Sequence, residues 1–469
     1  MRRFVGLAVL LLVALSSASV MATSEYGSFP GVTINFGILS GDHPVAWNTV
    51  IPEFEAMTGC KVEILDLSWD DLFSKTYLDL VSRAGTYDLI ELAGFWVPDY
   101  AANGLIAPLD SYFSAWDWQL DDLMPAYQNM GMYAGHRYGV LWDGDVFALY
   151  YRKDLFQDAR YQTEFKLLYG RDLTVPATWD EYLQVAAYFN NRDTDGDGRV
   201  DLYGNEAMLN RGNGPIMFMQ LLRSFGGQFF DPNTMEPLIG SDAGRKALET
   251  LAEISKYMPM GAASHDFTIT RDNFTNGNAA MVVQWTDVGS WSQTAAGSKV
   301  KGKVGFAPVP AGVLNGVTYS ASELAWNWQG VIPEGSLHKD AAAQLIRYMT
   351  SPEVSTRVVA LARGYDPYRQ SMFSGSALVQ GWFSGSADLL STLEASMNQG
   401  VYDLYIPGAQ QYLDSVGKYL GDLVTGTRTI DQVVASIAAE WNDITNRWDR
   451  QSQLQAYQEY MRTYWGWQG

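Results

Sequence analysis

The densest chemical signal in the chain is an acidic loop, Asp193-Thr194-Asp195-Gly196-Asp197-Gly198-Arg199-Val200-Asp201. Carboxylates at loop positions 1, 3, 5 and 9, with Gly198 at position 6 for the sharp turn, can converge several oxygens on one hard cation. The expected metal ligands are Asp193, Asp195, Asp197, Arg199 and Asp201, and the expected cofactor is Ca2+. Position 12, where a sensor loop carries a bidentate Glu, is Gly204. The loop therefore predicts a structural clip rather than a calcium sensor.

Calcium is plentiful outside cells, and the N-terminus carries an export signal. Met1-Arg2-Arg3 precedes an apolar run over 4–15, then small residues with Val20 and Ala22 at the −3 and −1 sites. This predicts a cleavable signal peptide over residues 1–22. The run is shorter than the roughly 18 apolar residues a membrane span needs. No cysteine stands at the cleavage site, so a soluble periplasmic protein is expected rather than a lipoprotein. Cys60 is the sole cysteine, which excludes an intrachain disulfide; it reads as a small residue entering a strand, not as a catalytic thiol. The formal charge is −20, and losing Arg2 and Arg3 leaves 30 basic against 52 acidic residues, or −22. That balance disfavours nucleic acid and anionic membranes, which need clustered Lys and Arg. A chain of this length exceeds one core, so two domains are expected.

Strand patterns over 32–36, 61–65 and 87–92 alternate with helical patterns over 46–57 and 70–84. Such alternation predicts a mostly parallel, doubly wound sheet whose ligands lie beyond the carboxyl ends of the strands. Those ends carry Gly41-Asp42-His43, Ser68-Trp69 and Gly94-Phe95-Trp96. Further on, Trp142-Asp143-Gly144-Asp145 leads into a strand over 146–152. Thr178 and Glu181 predict a capping box. Strands follow near 281–285 and 303–310, and from Ser336 the pattern is mostly helical.

Several pieces recur together in one order. They include Phe54-Glu55-Ala56-Met57-Thr58-Gly59, Tyr87-Asp88, Gly104-Leu105-Ile106-Ala107-Pro108-Leu109-Asp110 and Leu149-Tyr150-Tyr151-Arg152-Lys153-Asp154-Leu155-Phe156. Later come Pro176-Ala177-Thr178-Trp179, Asn276-Gly277-Asn278-Ala279-Ala280-Met281, Ile332-Pro333-Glu334-Gly335-Ser336 and Ser351-Pro352-Glu353. Their colinearity over residues 32–365 closely resembles the family 1 extracellular solute-binding proteins, the maltose-binding-protein-like receptors of carbohydrate ABC importers. The acidic loop also resembles a calcium site of some members. The resemblance implies an α/β, two-lobed periplasmic-binding-protein fold of type II, each lobe a mostly parallel sheet flanked by helices, joined by a hinge. It implies a first lobe built from 23–142 and 323–364, and a second from 143–322 and 365–469 with a helical C-terminus. Chain crossings are implied near 142–145, 322–328 and 364–369. So are a sugar, oligosaccharide or polyol ligand, lobe closure, delivery to a membrane-embedded ABC permease, and a monomer.

A carbohydrate offers CH faces to aromatic rings and hydroxyls to planar polar groups. With 16 Trp and 27 Tyr the chain is rich in such rings. Trp69, Trp96, Trp142, Trp285 and Trp326 are the stacking candidates; Asp143, Asp145, Asp287, Glu323 and Arg369 are the hydroxyl-binding ones. His43, Arg211 and Asn213 complete the candidate site. Plainer roles compete: Asp143 and Asp145 as turn residues around Gly144, and Arg369 as a partner of Asp366. Trp179, Trp441 and Trp448 read as structural, and His136, His265 and His338 as surface or turn residues without zinc spacing. Two rival classes remain. One is an exported glycoside hydrolase using Asp143 with Asp145, or Asp287 with Glu323, as an acid/base pair, though no nucleophile motif or phosphate loop accompanies them. The other is the same scaffold holding a different solute, such as a polyamine.

Overall fold

The computed structural model describes residues 24–361 and 364–468; the expected signal peptide lies outside the described residues. The first sheet has five strands in the order Lys61–Leu67, Thr33–Leu39, Leu89–Leu92, Gln329–Val331, Gly139–Leu141. The first three run parallel, and Gln329–Val331 is antiparallel to both its neighbours. Ile34, Phe36 and Ile38 are fully buried at alternate positions of Thr33–Leu39, the period-2 signature of a strand with one face on a core. The 46–57 pattern is not one helix but two, Asp42–Trp47 and Ile51–Thr58. Pro52 sits in the first turn of the second, where its missing N–H costs nothing, whereas one continuous helix would need that N–H to donate to the Asn48 carbonyl.

The second lobe departs from the expected parallel sheet. Its three strands, Met281–Gln284, Ala148–Arg152 and Val304–Ala307, pair antiparallel on either side of Ala148–Arg152. A short parallel pair, Ser322–Leu324 with Gly400–Tyr402, adds to this lobe. Here the strands reach the sheet from remote segments and chain crossings rather than through successive strand–helix–strand units. Strand alternation in sequence therefore did not report their direction. The helix Trp179–Phe189 opens on Thr178, whose hydroxyl accepts from the Glu181 N–H. The Glu181 carboxylate reaches back to the Ala177 N–H rather than to Thr178, a capping box displaced by one residue.

The chain passes between the sheets through 142–147 and 325–328, and a third stretch follows the helix Pro352–Ala360 through Tyr365, Asp366, Pro367, Tyr368 and Arg369. These stretches lie against one another. The Trp142 N–H donates to the Trp328 carbonyl at 3.1 Å, Phe147 N–H to the Glu323 carbonyl at 2.9 Å, and Gly144 N–H to the Asp366 carbonyl at 3.2 Å. Gly144 is required by that closeness, since a Cβ there would run into the Pro367 carbonyl oxygen. Among the described residues no helix is long and apolar enough to cross a membrane. Gly144→Ala should lower stability by at least about 1–3 kcal/mol, the cost of overpacking where backbone meets backbone. A urea midpoint indistinguishable from wild type would show that the crossings can part freely.

Candidate ligand-binding site

The carboxyl ends of the parallel strands face the seam between the lobes, and the loops there carry the rings and acids. Ser68 caps the helix Trp69–Ser82, accepting from the Asp71 N–H, and so sets Trp69 at the helix start. Trp96 lies in the turn after strand Leu89–Leu92, and its indole N–H crosses to Gln410 at 2.6 Å. Trp285 follows strand Met281–Gln284 of the second lobe and donates to the Ala325 carbonyl at 3.2 Å. Trp326 sits on a crossing. Its ring stacks on Trp69 at 4.1 Å with 14° between planes, and packs tilted against Trp285 at 4.5 Å and 39°. Trp69 also meets Trp96 at 5.0 Å. One wall of indoles therefore bridges both lobes.

Trp326 and Asn327 both have left-handed backbones, φ 72° and 40°. Consecutive non-glycine residues in that region store about 1–3 kcal/mol of strain each. Trp326 is held there by its N–H on Asp403 at 2.8 Å and by its carbonyl accepting from Gly94 at 2.5 Å. Its indole N–H is buried without a partner among the described residues.

Beside the indoles lies a cluster of buried acids. Asp143, Asp145 and Asp366 each offer an oxygen, all within 4.8 Å of one another. Asp143 accepts from the Asp366 N–H at 2.7 Å. Asp287 opens the helix Asp287–Thr294, and its N–H lies against the Asp366 carboxyl. Among the described residues Asp143 Oδ2, Asp287 Oδ1 and Asp366 Oδ1 are buried without a hydrogen-bond partner. Burial pushes the Asp143 pKa up to about 7 and that of Asp287 to about 6. Asp145 is raised well above the carboxylate range, first by burial and then by the charges of Asp143 and Asp366; Asp366 is raised likewise. Like charges this close share protons rather than all ionise.

His43 completes the seam. Its Nδ1 lies 2.9 Å from Glu91 Oε2, and its ring packs against Tyr365 at 4.5 Å and Trp328 at 5.2 Å. Burial alone would lower its pKa, but the Glu91 carboxylate outweighs that and leaves it raised.

Several expected residues stand elsewhere. Trp142 is a core ring of the first lobe, edge-on to Phe36 and Trp47, with its N–H held by Glu91 at 3.0 Å, so it is no stacking platform. The guanidinium of Arg369 is buried on the Gln119 and Thr350 carbonyls and 3.6 Å from Asp122, so it pins the first lobe rather than pairing with Asp366. Glu323 is fully buried in a separate acid pair with Asp403, which burial raises to about 7. Arg211 is exposed. Asn213 precedes the helix Gly214–Ser224 and accepts from the Phe267 N–H at 3.3 Å, a loop tie near Trp285 rather than part of the acid cluster. His265 is not a surface residue either: it is buried, with Nδ1 2.9 Å from Glu206.

Sequence reading missed Glu91, Tyr365, Asp366 as a site carboxyl, Trp328 and Asn327. Only Glu91 carried a signal, a charge inside the apolar strand Leu89–Leu92. Cys60 is buried, its thiol pushed up to about 11 by burial, which keeps it unreactive.

In the acidic loop, Asp193, Asp195 and Asp197 bring oxygens within 4.8 Å of one another at the surface. Asp193 also accepts from the N–H groups of Gly196 at 2.6 Å and Gly198 at 2.8 Å, which curl the loop around it. Gly198 has φ 87°, the conformation its position demands. Asp201 is not in that convergence, because both its oxygens accept from Thr194.

Two lobes, a hinge of adjacent crossings and a polar, ring-lined seam define a solute-binding architecture. The chain matches the bacterial extracellular solute-binding protein family over residues 40–356, and it belongs to that family. It is similar to the mannitol-binding protein of Pseudomonas aeruginosa, with 26% identity over 370 residues covering 76% of this chain and 80% of that protein. The erythritol/L-threitol-binding protein of Mycolicibacterium smegmatis is 22% identical over 376 residues, covering 76% of this chain and 74% of that protein. Its fold is similar to that of an ABC transporter solute-binding protein from Agrobacterium radiobacter K84 in complex with ribitol, with TM-score 0.77 and 24% identity over 89% of this chain and 100% of that one. Maltose-bound MalE3 of T. maritima follows at TM-score 0.73 and 22% identity, over 88% and 100%.

The buried acids make stability depend on pH. A carboxyl whose pKa rises on folding, as for Asp143 and Asp287, favours the folded state fully below its unfolded pKa of about 4 and loses that contribution as pH climbs through the folded value. The raised His43 acts with the same sign, full below about 6.5 and lost above. The ligand-free protein should therefore be less stable near pH 8 than near pH 5, by about 2 kcal/mol or more. Urea titrations at the two pH values measure it, and Asp143→Asn should shrink the difference; a midpoint that rises with pH contradicts the assignment.

Proposed function

We propose that this protein captures a sugar or polyol between its lobes in the extracytoplasmic space and delivers it to the membrane permease of an ABC transporter. The observation that carries the reading is the pairing of an indole wall with buried acceptor oxygens that have no donor among the described residues. A hydroxylated ligand supplies those donors, each worth about 1–3 kcal/mol where the acceptor would otherwise stay buried and unpaired. The mannitol and erythritol/L-threitol in the names of its relatives, and the ribitol and maltose bound by its structural neighbours, support the same class. A sugar ring interleaved between Trp69 and Trp326 needs about 7–8 Å between ring planes, so entry requires the lobes to part. Reclosure on a ligand that touches both lobes then stabilises the closed state, as differential affinity demands. The export signal fits a periplasmic receptor, and the ligand leaves chemically unchanged.

Titrating ribitol, mannitol, erythritol and maltose against intrinsic fluorescence should yield a saturable change with one or more of them. The ligand should be recovered intact, and Trp326→Ala should weaken binding roughly tenfold or more. Cleavage products would mean a hydrolase instead.

The acidic loop supports a second proposal, a structural Ca2+ held by Asp193, Asp195 and Asp197, with the Arg199 carbonyl as a further oxygen. Three converging carboxylates suit a hard cation, which would clamp the loop by offsetting their repulsion. EDTA should then lower the melting temperature by a few degrees, the shift expected for about 1–3 kcal/mol of linked binding. Asp193→Ala should remove the response; an EDTA-insensitive wild type leaves the loop an ordinary acidic turn.

A further inference from the structure

We propose that the start of the helix Ala409–Val424 in the second lobe latches onto Trp96 and Asp99 of the first, with Gln410 as a positioning residue for the indole wall. The latch holds the lobes together by hydrogen bonds that no ligand atom shares. It rests on the seam being the ligand site and names the contacts that set how long a ligand stays there. The helix packs on Gly214–Ser224 and Ile430–Arg447, so its body belongs to the second lobe. Its first turn lies instead against the first lobe, at the turn Gly94–Trp96.

That first turn has no cap of its own. The N-cap is Gly408, with φ 85° and no side chain to accept from the helix. A Cβ there would run into the Trp448 indole nitrogen, which bars the Ser, Thr, Asp or Asn that usually cap. The first lobe supplies a carboxyl instead: Asp99 Oδ1 accepts from the Gly408 N–H at 2.6 Å. Asp99 is buried, and its Oδ2 has no partner among the described residues, so Gly408 is the sole donor to this carboxyl there. One turn before Asp99 on the chain, the Trp96 indole N–H donates to Gln410 Oε1 at 2.6 Å. Gln410 is aimed by its own helix, since its Nε2 donates to Asp414 Oδ1 at 2.8 Å one turn on. The bond takes the edge of the Trp96 ring and leaves the ring packed against Trp69 at 5.0 Å.

The segment leading into the helix runs along the same boundary. The Tyr402 hydroxyl donates to the Ala126 carbonyl at 2.9 Å, and Asp403 accepts from the Trp326 N–H at 2.8 Å. Residues 402–410 of the second lobe thus reach both Trp96 and Trp326 of the wall. Bonds whose two ends lie in different lobes form only when the lobes meet, so they favour the closed state for any ligand. Removing the acceptor at Asp99 would leave the Gly408 N–H buried and unpaired on closure, whereas the open state gives it to water.

Stopped-flow fluorescence and small-angle X-ray scattering on the full mature protein test this. The probes are ribitol, mannitol, erythritol and maltose, and rates are measured with whichever saturates wild type. Asp99→Asn keeps an acceptor oxygen and removes the charge, whereas Asp99→Ala removes both, so the pair isolates the hydrogen bond. The probe should leave Asp99→Ala about fivefold or more faster than Asp99→Asn, with association little changed. It should leave Gln410→Met about threefold or more faster than wild type. In the probe-free protein, Asp99→Ala combined with Gln410→Met should give a larger radius of gyration than wild type. Equal dissociation rates in either comparison, or an unchanged radius, overturn the latch and leave the polyol reading intact. If no probe saturates wild type, the polyol reading fails and the scattering comparison alone decides the latch. Should Asp99→Ala fold poorly, Gln410→Met by itself decides it in both measurements.

Discussion

The Glu91 carboxyl, buried in the middle of the first sheet, is the constraint on which the hinge depends. It accepts from the Leu39 N–H at 3.1 Å, from Trp142 Nε1 at 3.0 Å and from the Tyr365 hydroxyl at 2.6 Å, and it lies 2.9 Å from His43 Nδ1. Those partners come from the end of the first strand, from the helix Asp42–Trp47 and from the first and third crossings. A buried carboxyl with no partners would cost several kcal/mol, so it draws these segments to one point. Trp47 adds a further tie by donating to the Tyr365 hydroxyl at 2.6 Å. Trp142 and Tyr365 each precede a seam acid, Asp143 and Asp366. Anchoring the two aromatic residues inward on Glu91 leaves their acidic neighbours to meet in the seam.

That seam is kept in tension. Acids are buried against one another, two non-glycine residues of a crossing hold left-handed backbones, and an indole N–H has no partner among the described residues. Unfavourable terms of this kind persist where the surroundings over-determine them, and they concentrate at functional sites. The indole wall offsets part of the cost, since three tryptophans packed ring against ring remove much apolar surface from water. In the proposed function, a ligand that supplies donors to the acids would relieve the rest. On that proposal, closure on ligand and stability of the ligand-free form pull on the same side chains.

Much of the architecture was legible in local chemistry. Alternating strands and helices foretold the first lobe, and glycine and carboxylate spacing foretold the shape of the acidic loop, where Asp193, Asp195 and Asp197 do converge. Trp69, Trp285 and Trp326 were chosen because each follows or neighbours a strand end, and all three meet. The same logic failed for Trp142, which follows a strand but turns inward because Glu91 needs its N–H. Arg369 was read as a binding group because guanidinium suits hydroxyls. It is consumed by backbone carbonyls of the first lobe, which sequence spacing does not reveal.

Sequence by itself determined the elements, the acidic and aromatic inventory, and the family to which the chain belongs, because propensity, capping and motif order act over short stretches of chain. Tertiary structure alone decided strand direction in the second lobe and the split of the acids into a seam cluster around Asp145 and a separate Glu323–Asp403 pair. It also decided which tryptophans pack together at the seam and which turn into the core. These outcomes follow from contacts between residues far apart in the chain, where burial and the demand that every buried polar group find a partner choose among side chains that look alike in sequence.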